Sequence, residues 1–158
     1  MRLVVDTNIA YSALLKSSRI HRLLVTEQRL EPHAPKVLLD EIEKHIPRIR
    51  RYTGFTAREL RVIWEILVER IKIHQEEEYA EEMEEAVNLL RKVDLGDAPF
   101  VALAMFLDVL LWTGDKGLLV LSAETGEYIA VDTEGVEMLL RGEPLDSVLE
   151  RMRRKYLG

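Results

Sequence analysis

Cysteine is absent from the 158 residues. That excludes disulfides, thiolate zinc sites and cysteine nucleophiles, and makes a cytoplasmic setting the default expectation. Long apolar runs are absent as well. None approaches the roughly 20 residues needed to span a bilayer, and the N-terminus enters a strand pattern at once, leaving no room for a signal peptide. No glycine-rich phosphate loop is present and no serine has a nucleophile-elbow context. The four histidines, His21, His33, His45 and His74, are scattered without a pair at metal-ligand spacing on one helix, so each reads as a surface or hydrogen-bonded side chain. Basic charge is in deficit, with 22 Lys and Arg against 28 Asp and Glu and a net charge of -6. This argues against a protein that coats nucleic acid through bulk charge, but leaves two local basic patches, "HIPRIRR" from His45 and "RMRRK" from Arg151.

What is present is the makings of one globular domain over residues 1–158, with 47% hydrophobic and 32% charged residues and no linker, repeat or low-complexity tract. Short apolar β-prone runs alternate with longer helical ones, the pattern of a parallel sheet covered on both faces, an α/β fold. Strands are expected at residues 3–5, 31–34, 70–74, 109–112 and 127–131. Pro35 suits the first turn of a helix carrying Leu38, Leu39, Ile42, Ile46 and Ile49 on one stripe, which Pro47 should end or kink. Thr56 with Glu59 three residues on is a capping-box signature. The segment 97–107 is apolar nearly all round and should be buried. The acidic helix 76–85 reads as a solvated face.

Asp6 closes the first strand, Asp115 follows the strand at 109–112, and Asp97 opens the helix leading into that strand. Side chains just beyond the carboxyl ends of parallel strands gather in one crevice. Taken singly, each aspartate is a good helix N-cap or first-turn residue, and Asp94 caps the helix near Asp97. Taken jointly, they put carboxylates and the hydroxyls of Thr7 and Thr113 in one place. Clustered carboxylates repel, and a divalent cation relieves the repulsion. With oxygen ligands only, that ion is Mg²⁺ or Mn²⁺, whose bound water can serve as the attacking nucleophile in phosphodiester hydrolysis. On the helix that follows Pro35, Asp40 faces solvent, while Glu41 and Glu43 flank the apolar stripe, and periodicity does not choose between them. A phosphatase using Asp6 as a covalent nucleophile fits less well, because position 8, where a second acid is wanted, is Asn.

The stretches "VVDTNI", "PKVLLDEI", "DLGDAPFVALA" and "LLWTGDKGLL", in strand, helix, helix and strand contexts and in that order, resemble the PIN domain family of small metal-dependent ribonucleases. The resemblance implies a three-layer α/β/α sandwich around a mostly parallel sheet of about five strands, often in a homodimer. It places the family's four acids on Asp6, Glu41, Asp97 and Asp115, so that Glu41 rather than Glu43 follows from the resemblance, with Thr7, Asn8 and Thr113 as polar supports and Asp94 as an additional acid. It further implies an endoribonuclease using Mg²⁺ or Mn²⁺. Many such proteins are VapC-type toxins of toxin–antitoxin pairs that cut structured RNA until a small antitoxin blocks the crevice, and others mature ribosomal RNA. Arg48, Arg50 and Arg51 are the candidates for holding the RNA backbone. The competing expectation is a catalytically inactive PIN-like module that binds nucleic acid or protein and keeps the acids as caps.

Overall fold

The computed structural model describes residues 1–15 and 18–158. Strand β1 (Arg2–Val5) is followed by α1 (Thr7–Ala13) and by the single turn α2 (Arg19–His21), which runs on into a π-helical turn, Arg22–Thr26. Then come β2 (Glu31–Pro35), α3 (Val37–Thr53), α4 (Ala57–Arg70), β3 (Lys72–His74) and α5 (Ala80–Leu89). A 3-10 turn, Glu76–Tyr79, leads into α5, and another, Leu95–Asp97, leads into α6 (Ala98–Leu107). The chain closes with β4 (Leu110–Trp112), α7 (Lys116–Thr125), β5 (Ala130–Val131), α8 (Thr133–Leu140) and α9 (Leu145–Leu157).

The five strands form one parallel sheet in the order β3-β2-β1-β4-β5. Burial explains why β1 is central. Leu3, Val4 and Val5 are fully buried, as an unalternating apolar run requires when both faces of a sheet are covered. Helix α6 lies on the sheet with Phe100, Val101, Ala102, Leu103 and Ala104 buried, and α5 packs over it. Its uniform apolarity is the sequence mark of a helix enclosed between two layers. No described helix is long and apolar enough to cross a membrane.

Pro35 as a helix-opening residue and Pro47 as a helix end are both corrected. Pro35 ends β2 instead of opening α3, which starts two residues later, and the buried run from Pro32 to Pro35 shows why: strand packing claims it. Pro47 sits inside α3, which continues to Thr53 and stops only where Gly54 turns into the left-handed conformation at φ 73°. Ile49, beyond the proline, is fully buried, so tertiary packing carries the helix through the lost hydrogen bond. The Thr56 capping box is formed, with the Glu59 N–H donating to Thr56 Oγ1 at 3.1 Å and the Thr56 N–H to Glu59 Oε1 at 3.3 Å.

The topology fixes where a site can lie. From β1 the chain builds outward on one side through β2 and β3, and on the other through β4 and β5. The direction therefore reverses between β1 and β4, and the crevice past their carboxyl ends is the natural binding position of such a sheet.

Candidate functional site

Val5 pairs with Trp112 at the end of the ladder, and the Asp6 N–H still donates to the Trp112 carbonyl at 3.3 Å. Asp6 and Thr113 therefore leave adjacent strands side by side. Asp6 Oδ1 accepts the Ile9 N–H at 2.9 Å and caps α1, while Thr113 Oγ1 donates to Asp6 Oδ2. The same hydroxyl accepts the Asp115 N–H at 3.0 Å, and Asp115 Oδ1 caps α7 through the Leu118 N–H at 3.0 Å. Thr113, wholly buried, is thus the link that ties the carboxylate after β1 to the one after β4.

Next to Asp6, Thr7 Oγ1 donates to Glu41 Oε2 and draws the first turns of α3 to the start of α1. Glu41 is half-buried, whereas Glu43 is exposed and lies beside Ile46, Arg50 and Trp64 on the α3–α4 side. Asn8 is exposed in the first turn of α1. Asp94 Oδ1 accepts the Gly96 N–H at 2.9 Å and shapes the turn that presents Asp97. Asp97 itself makes no capping hydrogen bond. That turn rests on α7 through an absent side chain: a Cβ on Gly117 would come within 2.9 Å of Val93 Cγ1 and 3.1 Å of Asp115 Oδ1.

Electrostatics mark these acids as one group. Burial, only partly countered by the Thr113 and Ile9 hydrogen bonds, pushes the Asp6 carboxyl up to about 6, and the Asp115 charge adds to the rise. Burial, then the charges of Asp94, Asp115, Asp6 and Glu41, push Asp97 up to about 7. Among the described residues, no Lys, Arg or His forms an ion pair with any of the four acids. The donor set is entirely oxygen, the chemistry of Mg²⁺ or Mn²⁺. As placed, no three described His, Asp or Glu side chains stand at metal-ligand spacing.

Other expected contributors lie apart. Arg48, Arg50 and Arg51 are exposed on α3, roughly 10 to 15 Å along the helix from Glu41 at 1.5 Å per residue. His45, one turn after Glu41, meets the ring of Tyr11 edge-on with centroids 6.0 Å apart, in keeping with its reading as a histidine outside the site.

A further strand-end aspartate escaped the sequence reading. Asp132 follows β5, caps α8 through the Gly135 N–H at 2.9 Å, and accepts from Lys155 Nζ and Tyr156 Oη, both at 2.6 Å. Burial opposes its ionisation, but those hydrogen bonds and the Lys155 charge hold the carboxyl below its ordinary range. The signal was in the sequence: Val131-Asp132-Thr133 repeats Val5-Asp6-Thr7. The two copies differ physically, since the fold supplies Asp132 with its own cation.

Comparison with known proteins agrees with this architecture. The family described as PIN domain matches residues 4–141. No curated protein matches. A similar solved structure is that of VapBC2 from Rickettsia felis bound to a DNA fragment from their promoter, at 14% sequence identity and a TM-score of 0.63, covering 84% of this chain and 98% of that one. At that identity the likeness is one of fold. The family match over most of the chain establishes that the chain belongs to the PIN domain family.

Proposed function

We propose that residues 1–158 form a single PIN-like domain acting as a metal-dependent endoribonuclease that hydrolyses RNA phosphodiester bonds. What supports the proposal is that Asp6, Glu41, Asp97 and Asp115 are electrostatically coupled near the switch point of the sheet and, among the described residues, have no basic partner, while Asp132 two strands along has one. A carboxylate group that raises its own members' proton affinity is held ready for a cation. Asp6, Asp97 and Asp115 would hold Mg²⁺ or Mn²⁺, with Glu41 beside them. The ion would supply an activated water and charge stabilisation at the phosphate.

The chain's own residues do the positioning. Thr113 keeps Asp6 and Asp115 in one orientation, Thr7 holds Glu41 toward the crevice, and the Asp94 turn presents Asp97. Arg48, Arg50 and Arg51 offer phosphate contacts along α3. A soluble cytoplasmic homodimer, working as the toxin of a toxin–antitoxin pair with a small antitoxin as its partner, fits the family and the VapBC2 fold likeness.

The second reading, a catalytically inactive module that binds nucleic acid or protein, is favoured by one observation: no three described side chains stand at ligand spacing. One experiment separates the two. The parent and Asp6→Asn are melted with and without Mn²⁺ or Mg²⁺ and then incubated with a pool of structured RNAs. The nuclease reading expects metal-dependent stabilisation and cleavage by the parent alone. A folded parent that neither gains stability nor cleaves overturns it in favour of the binding module.

A further inference from the structure

His33 on β2 and His74 on β3 play no part in the acidic crevice, yet both are buried, 2% and 8% exposed. The register pairs His33 with Lys72 and Pro35 with His74, so the two imidazoles project from the same face of adjacent strands. Their rings stack at 5.0 Å between centroids, and His33 Nδ1 stands 2.8 Å from His74 Nε2. A carboxylate lies at each end of the pair. Glu78, in the 3-10 turn after β3, has Oε1 3.1 Å from His74 Nδ1. Glu31, at the start of β2, has Oε1 3.5 Å from His33 Nε2, and Lys72 Nζ lies 3.6 Å from the same oxygen. Arg2 on β1 is the remaining charge felt by His33.

Proton counting along this row of groups restricts its states. The contact between Nδ1 and Nε2 needs one donor and one acceptor. With one extra proton on the pair, whichever ring carries it, every contact is made: one N–H bridges the rings, another reaches Glu78, and the last points at Glu31. With no extra proton, either a bare nitrogen faces a carboxylate at one end, where His33 Nε2 makes no hydrogen bond of its own to offset that, or two bare nitrogens face each other between the rings. With two extra protons, two N–H groups and two positive charges confront each other across 2.8 Å in a buried place.

We infer that His33 and His74 form a shared-proton clasp between β2 and the edge strand β3, one that accepts a single proton and opens when a second enters. Opening would release β3 and the 3-10 turn bearing Glu78, because the two rings and Glu78 join them to β2. The direction of pH dependence follows from His33, whose proton affinity is lowered first by burial and then by the His74 charge. A histidine with a depressed native pKa contributes stability above its ordinary range and loses it as the pH falls through the native value. The second proton therefore enters below the ordinary histidine range. Glu78 stays ionised there, being held below its own usual range first by the Gln75 N–H and then by His74.

The test uses the whole chain. Nitrogen-15 spectra of the imidazoles count ring N–H groups while amide hydrogen exchange follows residues 72–74, both from pH 8 down to pH 4 and corrected for intrinsic exchange rates. As the pH falls the clasp expects a state with three N–H groups on the two rings and β3 protected, and then a fourth N–H appearing together with an exchange rate that climbs by up to about tenfold per pH unit. His74→Gln keeps an amide donor toward His33 and removes one titrating ring, so the acid-triggered climb should disappear. A fourth N–H that enters without faster β3 exchange, or a climb that persists unchanged in His74→Gln, overturns the inference. The spectra of the unmodified protein decide the matter should that variant fail to fold.

Discussion

Replacing Asp97 by asparagine should stabilise the metal-free protein at pH 8 while removing its response to metal. Asp97 makes no capping hydrogen bond, and its carboxyl is pushed from 3.8 to about 7 by burial and by four neighbouring acids. A raised native pKa means that the group's contribution is fully present below the unfolded value and is lost as the pH rises through the native one. At pH 8 the ionised parent therefore carries the whole penalty, on the order of 4 kcal/mol if every pKa unit counted at about 1.4 kcal/mol. Asp97 is half-buried, so solvent screening reduces the expected gain to about 1–2 kcal/mol. For a chain of this length that corresponds to roughly 2–8 °C in melting temperature. The assay is calorimetric or fluorescence melting in chelator at pH 4, 6 and 8. The variant's advantage should be smallest at pH 4 and complete above pH 7. Metal at a hundredfold excess over its dissociation constant should then stabilise the parent by about 2.7 kcal/mol and the variant far less. A variant that melts lower than the parent at pH 8, or an advantage independent of pH, would refute the argument and return Asp97 to the role of a structural first-turn residue.

Asp6→Asn should keep the α1 cap, because asparagine caps as well as aspartate, and, its carboxyl being raised to about 6 mainly by burial, should melt no lower than the parent in chelator at pH 8 while losing metal-dependent RNA cleavage; circular dichroism and a gel assay check both. Gly117→Ala should weaken Mn²⁺ binding measured by calorimetry, since the new methyl meets Val93 and moves the Asp97 turn away from Asp115, and the added change Val93→Ala should restore it. Lys155→Met strips a buried carboxylate of its cation and should cost about 1–3 kcal/mol at pH 8. That loss should shrink in melts near pH 3.5, because Asp132 has a lowered native pKa whose stabilisation is itself lost as the pH falls. Arg51→Ala should weaken binding of all RNA sequences about equally and reduce the slope of log affinity against log salt by about 1 in a filter-binding titration.

Strand composition made the sheet legible in advance, because a strand buried on both faces has to be written as an unbroken apolar run such as Leu3-Val4-Val5. The acids at strand ends were legible for the same reason, since a parallel sheet leaves its strand ends in one crevice. Local rules failed where tertiary packing outweighed them. Pro47 did not stop α3, because burying Ile49 beyond it outweighs one missing hydrogen bond. The four histidines looked unrelated because spacing along a helix was the criterion, whereas His33 and His74 meet across two strands 41 residues apart. No local pattern encodes such a pairing, which depends on the order of strands in the sheet. Asp132 is the instructive intermediate case. Its Val-Asp-Thr context matches that of Asp6, so the motif alone predicts a second strand-end carboxylate at the same end of the sheet. Whether that carboxylate waits for an external cation or already has one is decided by Lys155, which the sequence places 23 residues away and only the packing of α9 against α8 brings to 2.6 Å. A strand-end aspartate therefore supports the proposed metal-binding crevice only where the fold leaves it without an internal base, and among the described residues that condition separates Asp6 and Asp115 from Asp132.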